Sequence, residues 1–334
     1  MKPAHPQTRD RSKFLSVRTI LETPILDDRK WAKARDLECD ILFVDLEDSV
    51  PEDRKEEGRN RAAAILRERS SYARPLLARV NNLSTRHGEA DIAALASAGV
   101  EAVAYPKLDS VAELEQVAAL FRAQGCDPDI FATIESMDGL RAVFDIAGHQ
   151  QVCGIMFGPN DLVVDMGLPL GIEELVERDT LAYARSRIVL AAAQQKIACI
   201  TMAVTSDLRD LEALRDEAGY LRRIGFSGLL TFYPPHLPVI SALYTPSSED
   251  VKRASETIAL YETAKAEGRP AAQHHGRAIL IHDYDRAKAV IERARGYGVI
   301  ARPRVTRTFV EGTNGGPQMR EQLHAQEGKE DECG

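Results

Sequence analysis

Two stretches decide the fold: Ile130–Glu135, which reads IFATIE, and Gly154–Asp161, which reads GIMFGPND. Each is a short apolar run, long enough for one strand, that stops at an acid. Six further short apolar runs lead to polar or charged residues: Val17–Leu21, Ile41–Leu46, Leu76–Asn81, Ala102–Pro106, Ile197–Met202 and Gly228–Phe232. Helix-like stretches separate most of them, so the chain reads strand, helix, strand, helix around a closed parallel (β/α)₈ barrel with a C-terminal helical extension. In such a barrel the active site is built from loops at the strands' C-terminal ends. Asp45, Glu47 and Asp48, then Arg79 and Asn81, Lys107, Glu135, and Asn160 and Asp161 all fall at or after run ends. Chemistry-bearing side chains gathered at one end point to an enzyme.

Length sets the organisation. A barrel takes about 250 residues, so the 334 present leave room for additions at both ends. Residues 1–13 read as a loose arm and 14–245 as the barrel. Residues 246–302 read as a helical lid segment, and 303–334, poor in apolar residues, as a flexible tail. A net charge of -8 argues against a nucleic-acid or membrane-surface binder. The cysteines Cys39, Cys126, Cys153, Cys199 and Cys333 are widely spaced and form no CxxC pair, which suits a reducing compartment. MKPAHPQTRDRSK carries no apolar signal core, and no run reaches the ~18 apolar residues of a membrane span. A cytoplasmic protein is the expectation.

Local signals place the helices. Asp27-Asp28 opens one to about Glu38, and residues 53–69 form a charged helix with Lys55, Glu56 and Arg59 on its solvated side. Ala90–Ala98 ends at Gly99, a C-cap. Ser110 with Glu113 makes a capping-box pattern that starts a helix to Gln124. Asp138–Ala147, Glu173–Gln195 and Asp207–Arg223 follow. Beyond the eighth strand come a long helix, Ser247–Glu267, two loops at Gly268 and at His274-His275-Gly276, and a last helix, Tyr284–Arg295.

Glu135 and Asp161 carry the sharpest chemical signal. Both follow apolar strands and project into the same barrel end. Two carboxylates with room for waters suit a hard octahedral cation such as Mg²⁺. The bland alternative pairs Glu135 with Arg141 and makes Asp161 a helix cap. Arg79 lies inside LLARVN, where a cation needs a partner. Its fork suits a substrate carboxylate, or a structural bridge to Asp45 or Glu47. In DLEDSV, strand alternation separates Asp45 and Glu47 from Leu46 and Asp48, so at least one of Glu47 and Asp48 approaches the metal's waters. Lys107 suits an electrostatic or structural role better than Schiff-base chemistry. No HExxH, GxSxG, Walker or GxGxxG pattern is present.

At these residues the chain resembles the HpcH/HpaI aldolase and citrate lyase β-subunit superfamily, in particular its CitE-like acyl-thioester lyases. Six ordered segments carry the resemblance: RTILETP, DILFVDLEDSVPEDRK, RVNNLSTRHGEADI, GVEAVAYPKLDS, FATIESMDGL and GIMFGPNDL. It implies a (β/α)₈ barrel in a homotrimer or homohexamer, with a C-terminal segment over a neighbour's site. It implies Glu135 and Asp161 as Mg²⁺ ligands (Mn²⁺ being a possible substitute), Arg79 as the substrate-carboxylate clamp, and Glu47 and Asp48 as acids near the metal water. Arg18 matches an arginine facing the site from the first strand. Asp283 in AILIHDYDRAKAVIERA matches an aspartate that precedes the last helix and covers an adjacent subunit's site. Its bland reading is a helix cap.

The implied reaction splits a carboxylated 3-hydroxyacyl thioester such as malyl- or citramalyl-CoA, on CoA or a carrier protein, into a 2-oxo acid and an acyl thioester. A thioester-hydrolysing synthase and an aldolase on free hydroxy acids are the alternatives. The chain departs from the family's pattern at Asn81-Asn82, where members have Asn-Pro. It departs again at Gly228–Pro234, which lacks the usual lysine and histidine.

Overall fold

The computed structural model describes residues 9–169, 180–203 and 207–301, and the backbone of 304–311 and 317–324. Eight parallel strands close into a barrel: β1 (Thr19–Glu22), β2 (Ile41–Asp45), β3 (Leu76–Arg79), β4 (Ala102–Tyr105), β5 (Asp129–Ile134), β6 (Val152–Phe157), β7 (Ala198–Met202) and β8 (Gly228–Thr231). Each pairs with the next, and β8 returns to β1 through Ile20 opposite Leu230. The expected runs and the observed strands coincide to within a few residues.

Around the barrel lie α1 (Asp28–Arg35), α2 (Lys55–Arg67), α3 (Gly88–Ser97), α4 (Val111–Ala123), α5 (Met137–Gly148), α6 (Pro159–Asp165), α7 (Ala182–Gln195), α8 (Leu211–Ile224) and α9 (His236–Tyr244). The predicted helix over 173–195 is seen from Ala182, and its earlier part lies outside the described residues. Among the described residues no helix is long and apolar enough to cross a membrane.

Strand alternation sends one set of side chains inward and the other toward the helices. Ile20, Ile41, Phe43, Leu77, Phe131, Cys153 and Ile200 fill the interior. Leu42, Val44, Val103, Tyr105, Ile130 and Ile155 pack in the outer cluster with helical side chains such as Ile65, Leu95 and Phe121. The register shifts between Ile130 and Phe131 on β5, facing β6.

The N-terminal segment, expected to be a loose arm, is pinned from Arg9 onward. Arg9 pairs with Asp127 and, at 2.7 Å, with Asp129, and Lys13 also pairs with Asp129. Arg11 donates to the Val152 carbonyl at 2.8 Å. These partners stand at the N-terminal ends of β5 and β6. Phe14 packs edge-on against Phe131, ring centroids 5.0 Å apart. With Val17 it joins the interior cluster and stops the barrel floor. The arm is held because its cations meet Asp127 and Asp129, Asp127 also accepting from Gln151, and its phenyl packs in the barrel end.

The chain divides into two compact units between Tyr244 and Thr245. In the second unit α10 (Ser248–Ala266) and α11 (Ile281–Gly296) pack through Ala254, Ala287 and Ile291. Ser247 caps α10 in a reciprocal box with Asp250. The segment expected as a second loop forms a hairpin, β9 (Ala272–His274) with β10 (Arg277–Ile279), turning through His275 and Gly276 at φ 46 and 75. Within the segment expected to be a flexible tail, β11 (Arg304–Glu311) pairs antiparallel with β12 (Pro317–His324).

Phe14→Ala should cost about 3 kcal/mol of stability, the usual loss for a buried phenyl, and lower the midpoint in urea. A midpoint equal to the parent's would mean that the floor stopper contributes nothing.

Candidate active site

At the C-terminal end of the barrel, Arg79 closes β3 and gathers acids from β1 and β2. Its Nε lies 2.6 Å from Asp45 Oδ1 and its Nη1 3.0 Å from Glu47 Oε2, while Nη2 has looser neighbours, Asp48 at 3.5 Å and Glu22 at 3.8 Å. The structural bridge to Asp45 and Glu47 is formed. Arg79 also lines a cavity of about 250 Å³ with Glu22, Asp48, Thr133, Glu135 and Asp161. A larger cavity, about 490 Å³, lies by Pro75, Leu76 and Glu101 at the N-terminal ends of β3 and β4, away from these groups.

Asp45 is wholly buried, and both its oxygens are in use. Oδ1 accepts from Glu47 N–H at 2.8 Å and Oδ2 from Ser49 N–H at 2.7 Å, besides the bond from Arg79. This turn ends β2 and breaks the alternation, so Glu47 and Asp48 both reach Arg79 instead of parting to opposite sides. Burial opposes the charge on Asp45, but Arg79 and the two amides hold its carboxyl below the usual range. Glu47 is pushed up to about 7, by burial first and then by Asp48 and Asp45 against Arg79.

The expected solvated side of α2 contains an exception. Lys55 is 8% exposed, and its Nζ donates to the carbonyls of Leu46 (2.7 Å) and Glu47 (2.6 Å) and to Asn81 Oδ1 (2.9 Å). Asn81 in turn donates to Leu46 O and to Asp91 Oδ2. Asn81 thus braces the loop that presents Glu47 and Asp48. Helical spacing could not reveal this, because three fixed acceptors happen to meet above the first turn of α2.

Glu135, just after β5, is 5% exposed. Its Oε1 accepts from Lys107 N–H at 2.9 Å. A Cβ at Gly158 would overlap its carboxylate, so the glycine opening the β6 loop makes room for that acid. Arg141 pairs with Asp138 at 3.0 Å, leaving the proposed Glu135–Arg141 bridge unformed. Asp161 lies in the first turn of α6, whose N-cap is Gly158. Burial pushes the Glu135 carboxyl up to about 7, and the charges of Glu47 and Asp161 add to this.

Lys107 projects between the two groups of acids, its Nζ 3.4 Å from Asp161 Oδ1 and 3.7 Å from Glu47 Oε1. Its φ is 49, a left-handed conformation that costs a side-chain-bearing residue roughly 1–2 kcal/mol. Asn82 supports that conformation by donating to the Pro106 carbonyl at 3.0 Å and the Lys107 carbonyl at 3.2 Å, and to Glu113. Glu113 also receives the Tyr105 hydroxyl. Ser110 caps α4 as expected, but Glu113 serves this network instead of completing the box.

Two sequence expectations are corrected. Arg18 does not face the site. It precedes β1, at the closed end of the barrel, with Nη2 2.7 Å and Nε 3.0 Å from the Asp40 carboxylate. The site end of β1 carries Glu22, which the sequence reading missed. Burial first, then Asp45 against the attraction of Arg79, pushes its carboxyl up to about 7. A lone acid at the end of an apolar strand was its one available signal.

Asp283 lies inside the first turn of α11, not before the helix. Its Oδ2 accepts the Leu280 N–H at 2.9 Å and its Oδ1 pairs with Arg286 at 2.7 Å. It serves as a capping-box acid, which is why the helix starts at Ile281.

The remaining wall is apolar: Met156, Met202, Leu230 and Phe232 complete the cavity, with Thr201 among them. Phe232 comes from the departed Gly228–Pro234 segment and is half exposed. Among the described residues no three His, Cys, Asp or Glu side chains form a ready-made metal cage. Two carboxylates suffice for an ion that keeps waters and takes substrate oxygens. The donors fit such an ion. Among the described residues Glu22, Asp45, Glu47, Asp48, Glu135 and Asp161 gather around Arg79 and Lys107, an excess of negative charge that favours a cation.

A family model described as HpcH/HpaI aldolase/citrate lyase matches residues 27–234. The chain belongs to this family. Among its relatives, a (3S)-malyl-CoA thioesterase of Cereibacter sphaeroides is 31% identical over 262 residues, covering 78% of this chain and 89% of the relative. The citrate lyase β subunit of Escherichia coli is 28% identical, covering 78% and 87%. CitE from Mycobacterium tuberculosis, solved with magnesium, acetoacetate and coenzyme A, is 26% identical with a TM-score of 0.69, covering 84% of this chain and 99% of that one. Family members of this kind are enzymes of aldolase and lyase type that include relatives acting on CoA esters.

Glu22 supplies a test. Because its carboxyl is raised from 4.5 to about 7 in the fold, its contribution to stability is complete below its unfolded value and is lost as pH rises through 7. The metal-free protein should melt at lower temperature at pH 8 than at pH 5.5, and Glu22→Gln should flatten that slope. An unchanged slope would place the titration elsewhere.

Proposed function

We propose that this protein makes or breaks a carbon–carbon bond in a carboxylated 3-hydroxyacyl thioester, with Mg²⁺ or Mn²⁺ held by Glu135 and Asp161. The observation that supports this most is the pair of carboxylates at the ends of β5 and β6, lining one cavity with Arg79. The ion would hold substrate oxygens and draw charge from the developing alkoxide or enolate. The chain's own groups do the rest.

In cleavage the hydroxyl proton leaves to a carboxylate and the carbon–carbon bond breaks. The hydroxyl carbon becomes the carbonyl of a 2-oxo acid. The electron pair passes to the α-carbon of the acyl thioester, which then takes a proton. Glu47 and Glu22, both poised near 7, suit proton exchange at neutral pH, with Asp48 beside them. The Nη2 edge of Arg79 would hold the oxo acid's carboxylate, and the wall of Met156, Met202, Leu230 and Phe232 would take the less polar part of the substrate. CoA or a carrier protein is the proposed thioester partner, a cytoplasmic homotrimer or homohexamer the proposed setting, and a neighbouring subunit's Asp283 a further carboxylate over the site.

The thioesterase relative favours a second reading on the same centre, in which water adds to the thioester carbonyl and the thiolate leaves with the carbon skeleton intact. Incubation with Mg²⁺ and malyl-CoA or citramalyl-CoA separates the two. Cleavage releases a 2-oxo acid without free thiol, and hydrolysis releases free thiol without a 2-oxo acid. Neither product from a panel of hydroxyacyl-CoA esters would sink both readings.

Glu135→Gln and Asp161→Asn should each lower turnover at least about 100-fold and weaken Mg²⁺ binding by calorimetry, with the melting curve still cooperative. Full activity in either variant would remove that residue from the metal site. Mixed oligomers of Asp283→Ala and Arg79→Ala subunits should regain part of the activity that each lacks alone. Failure to do so, in oligomers shown to be mixed, would leave Asp283 as a capping residue.

A further inference from the structure

The two buried or half-buried lysines near the site are held in opposite ways. Every Nζ hydrogen of Lys55 has a fixed acceptor within 2.9 Å, two backbone carbonyls and Asn81 Oδ1. Such a lysine is part of the frame. Lys107 Nζ has only carboxylates near it, at 3.4 Å and 3.7 Å, on a side chain that is 48% exposed. These contacts are longer than the Lys55 bonds. Its backbone is the reverse: a left-handed φ, two carbonyls bound by Asn82, and an N–H fixed on Glu135. The main chain is held by hydrogen bonds, and the ammonium stands on a half-exposed stem.

Resting on the proposed metal reading, we infer that Lys107 is a tethered counter-ion that neutralises the metal carboxylates until a divalent cation displaces it. The ammonium already stands on Asp161, and its own amide stands on Glu135, so a cation between those acids arrives beside a like charge. The stem has solvent to swing into. Displacement returns Asp161 to the ion and leaves the ammonium at the cavity edge near Glu47. The lysine therefore weakens metal binding while keeping the metal-free site from carrying its full negative charge, and it sets the concentration at which the site loads. The groups facing it are Glu47, Glu135 and Asp161.

The test is calorimetric titration of the full-length, metal-free protein with Mg²⁺ alone, then Mn²⁺ alone, at low ionic strength. Lys107→Met should bind either ion about tenfold more tightly than the parent, since removing one nearby like charge is worth at least that much in a partly buried site. Lys107→Arg, which keeps the charge, should stay near the parent. The advantage of Lys107→Met should shrink at high salt. Lys107→Gln serves if the methionine variant fails to fold. Equal or weaker binding by the neutral variants would overturn the counter-ion role. Adding Glu135→Gln should abolish binding in both backgrounds. If it does not, the ion sits elsewhere and the metal reading falls, an outcome distinct from failure of the Lys107 role alone.

Discussion

Arg79 lies 2.6 Å from Asp45, 3.0 Å from Glu47 and within 4 Å of Asp48 and Glu22, and the open end of the barrel is organised around that one charge. A guanidinium this deeply placed is tolerable only if paired, and breaking such a pairing leaves an uncompensated charge that is costly. The acids are as dependent on it as it is on them. Asp45 takes the strongest bond and stays ionised, while Glu22, farther away and buried, is pushed toward neutrality. One cation shared unequally among four acids thus yields carboxylates of different proton affinity in a single pocket, which proton-transfer chemistry requires.

Behind that charge stands a second layer that never faces the cavity. Asp91 receives Arg59 on one oxygen and Asn81 on the other, Asn81 and Lys55 hold the loop of Glu47, and Asn82 holds the loop of Lys107. Sites need such support because a ligand displaced by even an ångström loses much of its effect. The Asn81-Asn82 pair, a departure from the family pattern, therefore has a physical use here. Its two amides brace the loops on either side of β3.

The barrel was legible because its strands are continuous apolar runs, and Glu135 and Asp161 because each ends such a run. What stayed hidden depended on distance in space. Arg18 and Glu22 sit at the two ends of one short strand, and composition cannot say which end opens on the site. Direction along the strand says it: β1 runs from Thr19 to Glu22, and the residue at its C-terminal end is the one presented to the loops. Lys55 looked solvated because helix periodicity reports which face meets the barrel, not whether a loop folds over the first turn. The N-terminal arm looked loose because Asp127 and Asp129, which hold it, are more than a hundred residues away in the chain.

The two ends of the barrel are built on opposite principles. At the floor, Phe14 and Val17 exclude water, and Arg9 and Lys13 balance Asp127 and Asp129, so charge is matched and space is filled. At the other end, among the described residues, six carboxylates gather around two cations beside a cavity of about 250 Å³. Three of these carboxyls are raised to about 7, by burial first and by the charge of neighbouring acids after it. A divalent cation would offset part of that excess negative charge. The matched floor keeps the barrel closed, and the excess of acids is concentrated at the end where the proposed ligands would bind.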